Sequence, residues 1–216
     1  MSSLPTKERI IAEASHLFAK KGYDAVNVEE IAQAVGIKAP SLYKHYKNKK
    51  EIFDAVVQAM NTRYETNMAA LQMNGHDGET DADVFETMSE EKLVEIGNKL
   101  FAFFLHDDYA ANFRKLLTIE QFQNSELAAM FTKQYADDPL SYQGMLFSML
   151  TQAGVMQPND PKIMALQFYA PIHLLLTICD RQPEREPEAL IMLEQHIRQF
   201  NECYRTGANA HGDRKS

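Results

Sequence analysis

The sequence predicts an all-α fold, an N-terminal three-helix helix-turn-helix head followed by a larger helical C-terminal part, and three observations carry that reading. Apolar residues recur at steps of three and four through most of the 216 residues, the period of one helix face. No stretch alternates apolar and polar residues with the period of two that a half-buried strand needs. Residues that start helices stand at intervals along the chain: Asn27, Asn48, Ser125, Asp138-Pro139 and Asp160-Pro161, a capping side chain or a capping acid followed by proline.

The head can be read element by element. Ile10, Ile11, Ala14, Leu17 and Phe18 share one face of a first helix, which ends at Lys20-Lys21 with Gly22 just beyond it. Asn27 caps a second helix, with Glu30 three positions on to complete a capping box. Ile31, Ala32 and Val35 form its buried face, and Gly36 stands where the chain must turn sharply. Ala39 to His45 then reads as a short helix with Pro40 in its first turn, and Asn48 with Glu51 opens the next. This is the spacing of a helix-turn-helix, which sets its second helix in a DNA major groove. The small residues at the start of that second helix permit close approach to base edges. Tyr43, Lys44 and His45 have the reach and chemistry for phosphates.

Residues 6–57, TKERIIAEASHLFAKKGYDAVNVEEIAQAVGIKAPSLYKHYKNKKEIFDAVV, resemble the N-terminal domain of TetR-type bacterial transcriptional regulators. The likeness covers about a quarter of the chain and rests on LFAKKGY, IA-x-x-x-GI, SLYKHY and NKKEIF in this order. It implies a homodimer, an all-helical C-terminal half that binds a small molecule, and repression of a DNA operator relieved by that ligand. On this basis Lys38, Ala39, Pro40 and Ser41 are expected at base edges. Tyr43, His45 and Lys49 are expected on phosphates with Lys44, and the backbone N–H groups beside Asn27 and Val28 as an anion site. Two positions depart from the pattern: Lys38 where Ser or Thr often opens the recognition helix, and Tyr46 where Phe is usual.

Charge is divided unevenly. The net charge is -8, yet residues 1–50 hold nine Lys and Arg against five Asp and Glu, a balance of +4. The remainder carries 13 basic and 25 acidic groups, a balance of -12. A basic head on an acidic body presents one end to a polyanion and lowers non-specific affinity elsewhere.

Beyond the head, one long helix is expected from about Lys49 to Leu71, then an acidic loop over residues 74–81. Further helices are expected through Leu93–Leu105, Asp108–Leu117 and Ser125–Phe131, then from Asp138-Pro139 and from Asp160-Pro161, the last kinked by Pro171. The domains expected are 1–50 as the DNA-binding head, 51–205 as the ligand-binding and dimerisation part, and 206–216 as a disordered tail. Leu190, Leu193, Ile197, Phe200 and Tyr204 recur at steps of three and four, a heptad seam. With Ile163, Leu166, Ile172 and Leu175 they are candidates for a four-helix dimer interface, although packing inside one chain fits the same spacing. Phe101, Phe104, Phe113, Met130, Phe131, Tyr142, Met145, Met149, Phe168, Tyr169 and His173 are candidates for the adaptable pocket that the resemblance implies, although an aromatic and Met stripe at helical spacing is more often plain core.

The expected partners are double-stranded DNA, a small apolar or amphipathic effector and a second copy of the chain. No metal, cofactor or catalytic group is expected: His106-Asp107-Asp108 reads as a helix end with a cap, and phosphate loops, nucleophile elbows and HExxH are missing. No run is read as a membrane span or leader, and Cys179 with Cys203 makes no disulfide framework, so the cytoplasm is the expected compartment. Two other readings stand beside this one: a helical binding protein whose head has lost DNA affinity, and a helical enzyme. The first is opposed by the retention of Lys44, Lys47 and Lys49, and the second has no motif.

Overall fold

The computed structural model describes residues 4–207, and the last nine residues of the expected tail lie outside them. Among the described residues there are eleven α-helices joined by short turns, and the extended structure is one isolated bridge, Met156 to Arg205. The helices are α1 (Thr6–Lys21), α2 (Val28–Val35), α3 (Ala39–Leu42), α4 (Lys49–Ala70), α5 (Gly78–Glu86), α6 (Glu90–His106), α7 (Asp108–Glu120), α8 (Ser125–Thr132), α9 (Asp138–Gln152), α10 (Pro161–Arg181) and α11 (Glu186–Tyr204).

Two compact units emerge, and no single cut in the chain separates them. The first takes residues 4–66 together with His106–Thr132; the second takes Asn67–Leu105 and residues 133–207. Residues 51–66 and 106–132, expected in the second domain, therefore belong to the first unit. Its core is built from Ile10, Ala14 and Phe18 of α1, Ile31, Ala32 and Val35 of α2, Leu42, Ile52, Phe53 and Val56, closed by Phe113, Leu116 and Leu117 of α7. Phe18, Tyr23 and Phe53 meet edge-on or tilted, with ring centroids 5.2 to 6.2 Å apart, the separations at which aromatic pairs attract.

The second unit holds two apolar clusters. One gathers Ala82, Leu146, Phe147, Leu150, Met164 and Phe200; the other gathers Val94, Phe101, Leu175, Leu176, Leu193 and Ile197, and Phe168 packs against both. Asp81, buried here, accepts from the backbone N–H of Asn74 and Gly75 at 2.9 Å and from the Tyr142 hydroxyl at 2.7 Å. The acidic loop is thereby shorter than expected. Asp77 caps α5 by accepting from Glu79 N–H at 3.0 Å, so helix resumes inside residues 74–81.

Three local expectations are corrected. Asn124, not Ser125, caps α8, accepting from the N–H groups of Glu126 and Leu127 at 3.1 Å. Asp138-Pro139 does start a helix, α9, but Asp138 does not cap it. A π-turn over Lys133–Asp137 joins α8 to α9, and the Asp138 carboxylate takes the Lys133 ammonium at 2.6 Å instead of capping. Finally, α10 is by length and hydropathy enough to cross a membrane, a property that short apolar runs in the sequence concealed. In the fold its buried residues supply both clusters, Met164 and Ala165 one and Leu175, Leu176 and Cys179 the other, and it continues unbroken through Pro171. The start of the expected tail is also anchored: Thr206 N–H donates to the Val155 carbonyl at 2.9 Å.

Candidate nucleic-acid interface

The turn of the helix-turn-helix follows from two residues. The Asn27 side chain accepts from Glu30 N–H at 2.8 Å and so caps α2. The Glu30 carboxylate does not complete the box; it pairs with Lys21, whose ammonium holds Glu30 below the usual carboxylate range. Gly36 ends α2 at φ 77°, a left-handed conformation that a side chain would strain by about 1–2 kcal/mol. Ile37 N–H then reaches back to the Ala32 carbonyl at 2.9 Å, the closing bond of a Schellman turn.

Beyond that turn, α3 is regular only over Ala39–Leu42, shorter than the expected Ala39–His45, and a bonded turn carries Tyr43 to Tyr46. Leu42 and Tyr46, one helical turn apart, are both buried and pin this segment down. Their neighbours are thereby turned outward: Lys38, Pro40, Tyr43, Lys44 and His45 are exposed, with Ala39 and Ser41 half-buried. Lys38 forms no side-chain cap.

The fate of each basic side chain in the head sorts binding groups from structural ones. Arg9 donates to the Val35 carbonyl at the end of α2, Lys7 lies 5.5 Å above the Tyr46 ring, and Lys50 pairs with Asp54 at 3.1 Å. Lys38 and Lys44, among the described residues, make no hydrogen bond or ion pair within the chain. Lys49, expected on a phosphate, is placed otherwise. Its ammonium donates to the carbonyls of Tyr23 at 2.8 Å, Val26 at 2.9 Å and, more weakly, Asp24 at 3.4 Å, and it lies 4.3 Å from the Tyr23 ring centroid. All three N–H donors are thus committed to the α1–α2 corner. The anion site expected at α2 is weakened by the carboxylates of Glu29 and Glu30 in its first turn, and the Val28 side chain is buried.

In the second unit the heptad residues divide. Leu175, Leu193, Ile197 and Phe200 are buried within a single chain, so they belong to its own core and not to a dimer seam. Ile172, Leu190 and Tyr204 are half-buried against the same clusters. Ile163 and Leu166 are exposed as a dimer face requires, together with Leu174, Ile191 and Met192, which the heptad count passed over. The signal that would have found Leu174 is the second apolar stripe of α10, in steps of three and eight from Ile163 through Leu166 to Leu174.

The candidate pocket residues also divide. Phe113, Met130 and Phe131 lie in the first unit, and Phe113 is core there. Phe101, Phe104, Tyr142, Met145, Met149, Phe168, Tyr169 and His173 lie in the second. Phe101 is fully buried and Met145 is exposed. Phe104 packs on one cluster and Met149 on the other. Tyr169 and His173 come together with Tyr135 of the π-turn, ring centroids 5.9 and 6.1 Å from His173, and the Tyr169 hydroxyl donates to the Tyr135 carbonyl at 3.0 Å.

A capped helix, a left-handed glycine turn, a short second helix flanked by two lysines unpaired among the described residues, and an all-helical remainder define an all-α helix-turn-helix protein. Residues 10–56 match the family described as bacterial regulatory proteins, tetR family. Over 52 residues the chain is 46% identical to the HTH-type negative transcriptional regulator IcaR of the biofilm operon icaADBC in Staphylococcus epidermidis, a match covering 24% of this chain and 28% of that protein. The chain thus spans under a third of that relative's length. Two solved structures share the fold at near full length. A putative TetR-family transcriptional regulator from Mesorhizobium loti has TM-score 0.64 at 20% identity, covering 95% of this chain and 99% of that one. The flavonoid-responsive regulator FrrA has TM-score 0.57 at 18% identity, covering 94% and 98%. The match to the tetR family is confined to the head, and the likeness of the whole chain to the solved regulators is one of fold.

Proposed function

We infer that the protein is a homodimeric DNA-binding transcriptional repressor, released from a palindromic operator when a small apolar or amphipathic molecule binds its second unit. The observation that carries this reading is the pair Lys38 and Lys44. They are the recognition segment's exposed and uncommitted cations, flanking Pro40, Tyr43 and His45 above the buried anchors Leu42 and Tyr46. Lys44, Tyr43 and His45 meet phosphates, while Lys38 with Ala39, Pro40 and Ser41 faces base edges. Lys49 acts as the clamp of the α1–α2 corner. The relatives support repression in name: IcaR is a negative regulator.

Dimerisation uses the exposed stripe Ile163, Leu166 and Leu174 of α10 with Ile191 and Met192 of α11. The two recognition segments then stand about one DNA turn apart, roughly 34–36 Å. The effector binds among the aromatic and Met side chains of the second unit, and FrrA, which shares the fold, is itself described as flavonoid-responsive. α4 contributes residues to both units and carries the response, with a coupling on the usual scale of about 1–3 kcal/mol. A chromosomal operator makes the cytoplasm the working compartment. Selection from random double-stranded DNA with the purified, ligand-free protein tests the reading. An enriched palindrome is the expected result. No enrichment, from protein refolded after stripping any co-purified molecule, refutes it.

A further inference from the structure

The α1–α2 corner is held from two elements, and the second has no counterpart in the helix-turn-helix pattern. Tyr23 C=O accepts from Lys49 of α4, whereas Tyr23 N–H donates at 2.7 Å to the carboxylate of Glu120, in the last turn of α7. Glu120 is buried to 4% exposure, 97 residues away along the chain. Gly22, immediately before Tyr23, is buried at φ 85°, and a Cβ there would stand 2.5 Å from Glu120 Oε1. The corner has therefore been left without a side chain where the carboxylate enters. The same α7 is fixed at its other end by Asp107, which caps it and pairs with Arg63 of α4 at 2.8 Å.

A structural filler at the end of α7 would be apolar like Phe113, Leu116 and Leu117, because burying a carboxylate is costly unless it is bonded. Here the carboxylate is spent on one peptide of the corner from which α2 hangs. We propose that Glu120 is a positioning residue for DNA binding: from α7 it sets the α1–α2 corner, and through it the orientation of α2 and the recognition segment. The proposal rests on the DNA-binding reading of the head.

The test compares Glu120→Ala, which removes the acceptor, with Glu120→Gln, whose amide oxygen still accepts from Tyr23 N–H, and with Gly22→Ala, whose Cβ drives the carboxylate aside. Each full-length variant is measured for affinity to the duplex enriched by selection and for amide hydrogen exchange at Tyr23 and along α2. Glu120→Ala and Gly22→Ala are expected to speed exchange and weaken DNA binding by about tenfold each. Glu120→Gln should stay within about threefold of the unaltered protein. Glu120→Ala combined with Gly22→Ala should be little worse than Gly22→Ala alone, which already loses the bond and adds backbone strain at φ 85°. Unchanged exchange and affinity in Glu120→Ala would overturn the proposal, as would faster exchange with unchanged affinity, or equal damage from Gln and Ala. Absence of binding by the unaltered protein would refute the DNA reading instead, and the exchange data would then still decide whether Glu120 sets the corner.

Discussion

Lys49 and Lys44 are both lysines of the head, and their surroundings assign them opposite roles. The Lys49 ammonium has two well-formed bonds, to Tyr23 O at 2.8 Å and Val26 O at 2.9 Å, with the Tyr23 ring at 4.3 Å. Hydrogen bonds from a charged donor contribute about 1.5–3 kcal/mol each when buried, and a cation over a ring about 0.5–1 kcal/mol near the surface. Lys49 is half-buried, so the lower ends apply, and Lys49→Ala should cost about 2–4 kcal/mol. That is a large part of the roughly 5–15 kcal/mol holding such a chain together. Among the described residues Lys44 has no partner, and Lys44→Ala should leave stability within about 0.5 kcal/mol. On DNA the order reverses. Losing one phosphate contact per protomer lowers the slope of log K against log salt by about 1.8 for a dimer, and this is expected of Lys44→Ala. Lys49→Ala should leave the slope unaltered while weakening binding through the loosened corner. Urea unfolding gives the first quantity and binding over a series of salt concentrations the second. A Lys49→Ala protein as stable as its parent, with the slope lowered as in Lys44→Ala, would refute the clamp.

Other outcomes follow from burial and pairing. Among the described residues the buried Tyr46 hydroxyl has no hydrogen-bond partner, and burial pushes its ionisation above the usual range. Tyr46→Phe should therefore be neutral or stabilising by about 1–2 kcal/mol in urea unfolding, and a loss of stability would show a partner for the hydroxyl. Leu193 is fully buried, so Leu193→Ala should cost about 2–5 kcal/mol of stability. Leu174→Glu on the exposed stripe should leave the fold intact and yield monomers in sedimentation; a persistent dimer would move the interface elsewhere. Glu90 accepts from Asn201 at 2.8 Å and Arg198 at 2.7 Å, which hold its carboxyl below the usual range. A lowered folded pKa contributes stability above the unfolded value and loses it as pH falls through the folded one. Melting temperature should thus fall with acidity below about pH 4.5, and less steeply in Glu90→Gln. Equal slopes would remove Glu90 from the acid response.

The head was legible because its signals are local. Asn27, Gly36 and Asn48 each act within four residues, through a cap or a left-handed turn. What escaped was whatever depends on distant partners. Lysine at position 49 looks the same in sequence whether it meets a phosphate or three carbonyls. Glu120 meets Tyr23 only because α7 packs with α1, a juxtaposition that no spacing encodes. The heptad of α11 failed for a different reason: steps of three and four describe any apolar helix face, and Leu193 and Ile197 turn theirs toward α6 and α10 of the same chain. Asp138-Pro139 marks the start of α9 but not its cap, because the π-turn runs into the proline without a break and leaves the acid to pair with Lys133.

The central claim is that two heads, fixed in one dimer, read two half-sites one turn apart. It is tested most directly by inserting about five base pairs, half a turn, between the half-sites of the enriched palindrome. The account predicts that affinity for the altered duplex falls to the non-specific level and that a further insertion to a full turn does not restore it completely. Unchanged affinity after the half-turn insertion would mean that the heads bind independently, and would contradict the account.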